Sequence, residues 1–88
     1  MSRLLGIDYG TVRIGLATSD PTGTLASPLP FLENNSSQQV ISALTALIET
    51  HQITGLVIGM PRNMDGTYGP SAQKVSDFIS LIKGTISL

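Results

Sequence analysis

Asp8 is the residue of this sequence best placed to do chemistry. It ends an apolar run over residues 4–7 and precedes a turn through Gly10, whose missing side chain leaves the backbone free to turn. Short apolar runs bounded by turn residues are typical of strands, so we expect a rigid strand to hold Asp8 at its end. A carboxylate placed there can bind a hard divalent cation through oxygen. A turn-capping role for Asp8 is the alternative.

Hydrolysis of a phosphodiester by two metal ions needs further ligands, and the sequence has six acidic residues in all. Asp65 lies in a loop over residues 59–69, and this loop should meet Asp8 at the carboxyl ends of two parallel strands. Arg62 and Asn63 of the same loop are candidates for contact with a nucleic-acid backbone. The alternative is a surface loop built around a simple turn.

Two residues that closely follow Asp8 could bind phosphate. Arg13 is near enough along the chain to hold a phosphate beside the carboxylate, and Thr11 could add a hydroxyl contact. An exposed hairpin arginine with no ligand is the alternative interpretation of Arg13.

Composition excludes several other chemistries. The sequence has no cysteine and a single histidine, which rules out disulfides, cysteine-bound zinc and a histidine metal cluster within one chain. The net charge of -1 provides no broad basic field, so nucleic-acid binding would depend on a local site. The first residues lack a secretory signal and no apolar run approaches ~18 residues. We therefore expect a cytoplasmic protein that does not contact membranes.

The elements that must position these residues are strands first and helices later. Strands are predicted over residues 3–8, 12–19 and 25–29, and the short connections make neighbouring strands antiparallel. Pro28 places the third strand at a sheet edge because proline cannot donate to a ladder. Ser36 and Gln39 have the spacing of a capping box, which predicts a helix over residues 37–50.

A second set of elements follows this helix. A strand over residues 53–60 should run parallel to the first, since a helix connects the two. Pro70 suits the first turn of a helix over residues 70–83, and Gly84 suits its C-terminal cap. Residues 85–88 then begin a fifth strand.

This element order predicts an α/β fold with a mixed sheet and a central first strand. The order β-β-β-α-β-α, followed by the start of a fifth strand, is that of the ribonuclease H-like fold. A chain of 88 residues allows one such domain, over residues 1–88.

Two runs of residues resemble the motifs of one family. The opening motif of the YqgF family resembles GIDYG at residues 6–10 and RIGLATSD at residues 13–20, and its second motif resembles VIGMP at 57–61 with NMDGT at 63–67. These proteins are Holliday-junction-resolvase-like and are also described as pre-16S ribosomal RNA nucleases. The resemblance covers essentially the whole chain.

The resemblance implies a ribonuclease H-like fold and cytoplasmic maturation of the 5′ end of precursor 16S ribosomal RNA. It implies metal-dependent phosphodiester hydrolysis in which Asp8 binds Mg²⁺ or Mn²⁺. RNA is then the substrate, with branched DNA as an alternative. The family's third motif, Asp-Glu-Arg-Leu-Thr, and a later helical aspartate do not occur in these 88 residues. The hypothesis is therefore a domain that is incomplete at its C-terminus and inactive by itself.

Two other interpretations stay open. The run DYGT at residues 8–11 also fits the phosphate loop of the related ATPases, such as actin, the heat-shock chaperones and the sugar kinases. ATP binding without RNA cleavage by a longer chain would favour that class.

A non-catalytic nucleic-acid-binding module is the other class. RNA affinity that is unaffected by magnesium and by Asp8→Asn would favour it.

Overall fold

The strands form one mixed sheet in the order β3-β2-β1-β4. The structure is a computed structural model that describes residues 3–20, 26–61 and 63–88. Its elements, in chain order, are β1 (Leu4–Asp8), β2 (Arg13–Ser19), β3 (Ala26–Glu33), α1 (Ser37–Thr50), β4 (Gly55–Ile58) and α2 (Pro70–Thr85). The predicted α/β class is confirmed, and the element order is consistent with a ribonuclease H-like domain.

Strand pairing brings the ends of β1 and β4 together. β1 pairs antiparallel with β2, which sets Asp8 opposite Gly15. β1 pairs parallel with β4, which sets Ile7 beside Ile58. The predicted directions of both pairings are confirmed. The carboxyl ends of β1 and β4 therefore lie at the same end of the sheet. Asp8, the last residue of β1, lies at this end beside the start of the loop that follows β4.

Both helices cover one face of the sheet. Alternate residues of the strands point toward this face, and the helices contribute apolar residues at helical spacing to the same cluster. The buried members are Leu5, Ile7, Ile14, Leu16, Val40, Leu44, Ile53, Phe78 and Ile82. On the opposite face no described element covers the strands, and Val57 of β4 is 56% exposed there. The sheet thus has a buried face and an open face.

The predicted helix over residues 37–50 is confirmed at both ends. The Ser36 hydroxyl accepts a hydrogen bond from the Gln39 backbone N–H at 3.2 Å, which is the Ser36 half of the predicted capping box. The second helix begins at Pro70, also as predicted.

The third strand is longer than predicted. β3 reaches Glu33 instead of ending at residue 29, and Leu25 lies outside the described residues. The prolines within β3 are tolerated because it is an edge strand that needs a partner on one side only. Its pairing with β2 shifts register between Ile14 and Leu16, which is a β-bulge. β4 is shorter than the predicted range of residues 53–60.

The predicted end of the second helix is wrong. α2 continues through Gly84 to Thr85, and the N–H of the capping residue Ile86 donates to the Ile82 carbonyl at 2.8 Å. Ile86 lies one helical turn beyond Ile82 and packs against the same core, which extends the helix past its local stop signal. Residues 86–88 therefore do not form the predicted fifth strand.

No helix in the described ranges is long and apolar enough to cross a membrane.

Candidate functional site

Asp8 lies exposed on the open face of the sheet, at the end of β1. Its neighbours there are small. A Cβ added to Gly15 would lie 3.5 Å from the Asp8 Cβ, and Gly59 lies at the end of β4, where its N–H donates to the Ile7 carbonyl at 3.2 Å. A shallow depression is lined by Gly6, Ile7, Asp8, Gly15, Leu16, Ala17, Val57 and Gly59. A ligand can therefore reach the carboxylate without displacing a bulky side chain.

Tyr9 anchors the backbone next to this carboxylate. Its ring packs on the ring of Phe78 from α2, with centroids 4.5 Å apart and planes inclined at 38°. Side chains alternate along a strand, so Tyr9 points toward the helices while Asp8 points toward the open face. The contact holds the end of β1 in place.

The turn after Asp8 needs a glycine for a different reason than the one predicted. Gly10 does not have a positive φ; among the described residues those with positive φ are Gln52 and Gly66. A Cβ at Gly10 would instead overlap the carbonyl oxygen of Arg13. The requirement is close approach of two backbone segments.

Asn34 closes this turn, and sequence reasoning missed it. Its side-chain Nδ2 donates to the Gly10 carbonyl at 2.9 Å, and its backbone N–H donates to the Val12 carbonyl at 2.9 Å. An asparagine just before a helix cap is a signal for bonds to backbone. That signal does not reveal the partner, which β3 brings near by pairing with β2.

Replacing Asn34 with alanine is expected to lower the free energy of unfolding by about 1 kcal/mol, because the Gly10 carbonyl loses its donor. Urea denaturation measures the change, and hydrogen exchange of the amides at residues 10–12 reports the turn itself. Asn35→Ala is the matched control, since the Asn35 side chain donates to the exposed Glu33 carboxylate at 3.3 Å and not to the turn. Equal stability of the two variants would show that the Asn34 bond does not hold the turn.

Arg13 and Thr11 lie at the same end of the sheet as Asp8. Thr11 is exposed within the turn, and Arg13 is the first residue of β2. Arg13 comes two residues before Gly15, the partner of Asp8, so Arg13 and Asp8 share the open face. The Arg13 Cζ lies 4.8 Å from the centroid of the Phe31 ring, and Phe31 is a neighbour that sequence reasoning did not identify.

In the loop after β4, the predicted site residues Asn63 and Asp65 both form hydrogen bonds with Thr67 of the same loop. Asp65 Oδ1 accepts from the Thr67 hydroxyl at 2.6 Å and from the Thr67 N–H at 3.0 Å. Asn63 Nδ2 donates to the Thr67 hydroxyl oxygen at 3.1 Å, and the Asn63 N–H donates to the Thr67 carbonyl at 2.8 Å. These two side chains shape the loop. Arg62 lies outside the described residues.

The side-chain and backbone hydrogen bonds from Thr67 lower the pKa of Asp65 below its ordinary value of 3.8. Their contribution to loop stability is therefore complete above that value and is lost as the pH falls through the lowered pKa. We expect Thr67→Val, which removes the hydroxyl donor, to raise the pKa of Asp65 toward 3.8. An NMR titration of the residue 67 amide proton measures both values. An unchanged midpoint in the variant would contradict the assignment of this hydroxyl as the main cause.

The described residues do not form a complete metal site. They contain no group of three histidine, aspartate or glutamate side chains placed to hold one ion. The carboxylate of Asp8 has the oxygen donors that Mg²⁺ and Mn²⁺ prefer, and its exposure leaves it free for a ligand. Asp8 thus fits one position in the coordination of a hard cation, while Oδ1 of Asp65 accepts two hydrogen bonds from Thr67.

The mixed sheet of four strands with two helices is an α/β fold consistent with a ribonuclease H-like domain, and it holds an exposed aspartate at the end of an interior strand. The family model RuvX, described as Holliday junction resolvase, matches residues 2–88, and the chain belongs to that family. The predicted resemblance to Holliday-junction-resolvase-like proteins is thereby confirmed. The match places the chain in this family and not among the related ATPases.

Curated relatives carry a name that refers to RNA. Proteins named "Putative pre-16S rRNA nuclease" include one from Halothermothrix orenii, 34% identical over 84 residues that cover 96% of this chain and 60% of the relative. One from Ruminiclostridium cellulolyticum is 42% identical over 81 residues, covering 91% and 57%. One from a Sulfurihydrogenibium species is 40% identical over 86 residues, covering 98% and 58%. The chain thus spans about 60% of the length of these relatives.

Proposed function

We propose that this chain supplies the metal-binding aspartate of a nuclease that matures the 5′ end of precursor 16S ribosomal RNA. The observation that carries the proposal is the exposed Asp8 carboxylate, held by a rigid strand on an open sheet face beside Arg13. Support for the substrate comes from the names of the relatives, which refer to pre-16S rRNA. Branched DNA is the alternative substrate, in line with the description of the family.

Asp8 holds Mg²⁺ or Mn²⁺ in this proposal. When bound, such ions activate the attacking water and stabilise the leaving oxygen of a phosphodiester. The chain's own residues orient the Asp8 carboxylate and bind the RNA. Tyr9 and the Asn34 bonds fix the backbone around Asp8, and Arg13 binds a phosphate of the RNA next to the carboxylate.

The loop after β4 contributes a second contact with the RNA backbone. Arg62, Asn63 and Asp65 belong to it, and it ends at the N-terminus of α2, where free backbone N–H groups favour phosphate. Because Asn63 and Asp65 are bonded to Thr67, they act mainly by keeping the loop in shape. Direct contact of these residues with RNA stays a prediction, as does a cytoplasmic location.

The 88 residues alone do not cleave RNA in this proposal, because one carboxylate cannot complete a metal site. The relatives are longer than this chain, and we place the remaining ligands in the part of them that it does not span. This division of the site gives a direct test.

The test compares three proteins on a precursor 16S RNA fragment with Mg²⁺ or Mn²⁺. They are this chain, the intact Ruminiclostridium cellulolyticum relative, and a chimera in which this chain replaces the matched segment of that relative. We expect the relative and the chimera to cleave the RNA, EDTA to stop both, and this chain alone to leave it intact. A folded chimera without activity beside an active relative would contradict the proposal. Cleavage by the 88 residues alone would contradict the divided site.

A further inference from the structure

Phe31 is an exposed aromatic residue that the proposed function leaves without a role. It lies in β3 with 51% of its surface exposed, although a phenylalanine of a small domain normally contributes to the core. One side of its ring is occupied, since the Arg13 Cζ lies 4.8 Å from the ring centroid. That distance is within the range of a cation–π contact.

The β-bulge lies beside this ring, which faces the open side of the sheet because its neighbour along the strand, Leu32, packs against the core on the covered side. Ile14 pairs with Leu32, and Leu16 pairs with Leu29. Pro30 and Phe31 of β3 therefore both lie opposite Gly15, the single residue of β2 between these two pairs. Bulges re-aim side chains and are common beside active sites. Pro30 suits this place because it has no N–H to pair.

The strand register places the Arg13–Phe31 pair close to Asp8. Asp8 is opposite Gly15, so Arg13 is its diagonal neighbour on the open face, with Cα atoms about 7–8 Å apart. No side chain intervenes at Gly15. A strand of RNA with one phosphate at Asp8 therefore has its neighbouring phosphate and base within reach of Arg13 and Phe31.

We propose that Phe31 is an RNA-binding residue: its exposed ring face stacks on a base, while its occupied face holds the Arg13 guanidinium against the phosphate next to Asp8. This proposal rests on the proposed function for its ligand. Stacking on aromatic rings and phosphate contact by arginine are the usual means of binding single-stranded nucleic acid. Phe31 thus selects unpaired RNA at the site of cleavage.

Glu33 gives the site a charge of the opposite sign. It pairs with Arg13 across β2 and β3, and its Oε2 accepts from Asn35 Nδ2 at 3.3 Å. A carboxylate beside a phosphate site weakens binding through repulsion. Glu33→Gln should therefore tighten RNA binding, whereas the loss of Arg13 should weaken it.

The contact itself is tested first, without RNA. In the NMR spectrum of this chain, the ring should shift the Arg13 Hδ protons upfield, and Phe31→Leu should abolish that shift. Thermal melts of the variants check folding, which we expect to be preserved because both side chains are exposed.

Binding is then measured by fluorescence anisotropy of labelled single-stranded RNA at several low salt concentrations. We expect Phe31→Leu to weaken binding about 5-fold or more and Phe31→Tyr, which keeps the ring, to bind as the original chain does. Arg13→Gln should lower the slope of log affinity against log salt by about 0.7, the value of one single-strand phosphate contact. Lys83→Gln is the matched control, since it removes the same charge from α2 on the covered side.

Several outcomes would overturn the proposal. If Phe31→Leu binds the RNA with the affinity of the original chain, Phe31 is not an RNA-binding residue. If Arg13→Gln and Lys83→Gln bind the RNA equally well, the phosphate site is not at Arg13. Tighter binding of single-stranded DNA of the same sequence would overturn RNA as the ligand. These failures differ from failure of the proposed function, which would appear as an inactive chimera whose RNA binding is intact.

Discussion

Replacement of Asp8 by asparagine is expected to lower the rate of RNA cleavage by the chimera at least about 100-fold. Changes to groups that only orient a metal ligand already cost about 10- to 100-fold in metal affinity or activity, and loss of a direct ligand should exceed that. Asparagine keeps the shape of the side chain and removes its charge. Because Asp8 is exposed among glycines, the fold should not change.

Cleavage rates at saturating Mg²⁺ or Mn²⁺ measure this effect, and melting temperature confirms folding. Glu49→Gln is the matched control, because it removes one exposed carboxylate from α1, on the covered side of the sheet. Cleavage by Asp8→Asn at the original rate would show that Asp8 is not a metal ligand. A different outcome is a chimera that never cleaves RNA and whose RNA affinity is unchanged by Mg²⁺ and by this substitution. That outcome would identify a non-catalytic binding module.

Replacement of Gly10 by alanine is expected to lower the free energy of unfolding by about 1–3 kcal/mol, the usual cost of forcing extra atoms into a filled space. The added Cβ would overlap the Arg13 carbonyl oxygen, which is backbone and cannot turn aside as a side chain can. The turn would have to open. In the chimera this change should also slow cleavage, since the turn connects Asp8 to Arg13.

Gly59→Ala is the matched control for this substitution. Gly59 directly follows β4 at the same end of the sheet, but no atom lies within 4 Å of an added Cβ. The free energy of unfolding of Gly59→Ala should therefore stay within about 0.5 kcal/mol of the original value. Urea denaturation compares the two variants, and unequal m-values would reveal a change in the denatured state. Equal stability of Gly10→Ala and Gly59→Ala would show that the turn relaxes without cost.

Much of the fold was predictable because its signals are local or periodic. The Ser36 cap, the Pro70 start and the helical spacing of Val40 and Leu44 act within a few residues, and the structure confirms them. Short connections make antiparallel neighbours and a helical connection makes a parallel one, so the edge shared by Asp8 and β4 also follows from sequence. The Asp65–Thr67 bonds are local too, and an aspartate before a glycine is a known signal for them.

Contacts between distant segments could not be predicted, because they depend on register. The Asn34 bond to Gly10 and the Arg13 contact with Phe31 both exist because β3 pairs with β2 at one alignment. A bulge changes which face a side chain occupies, and no residue type alone specifies it. The same holds at Gly84, where packing of Ile86 on the core overrides a local stop signal.

Local signals therefore specify the type and order of the six elements that form, the strand directions and the placement of Asp8 at an accessible end of the sheet. Long-range packing specifies some of the element bounds, the side chains that surround that carboxylate and those that hold the turn beside it. The physical reason is that burial of one apolar face sets the strand register, and the register in turn decides which residues of different strands become neighbours on the open face.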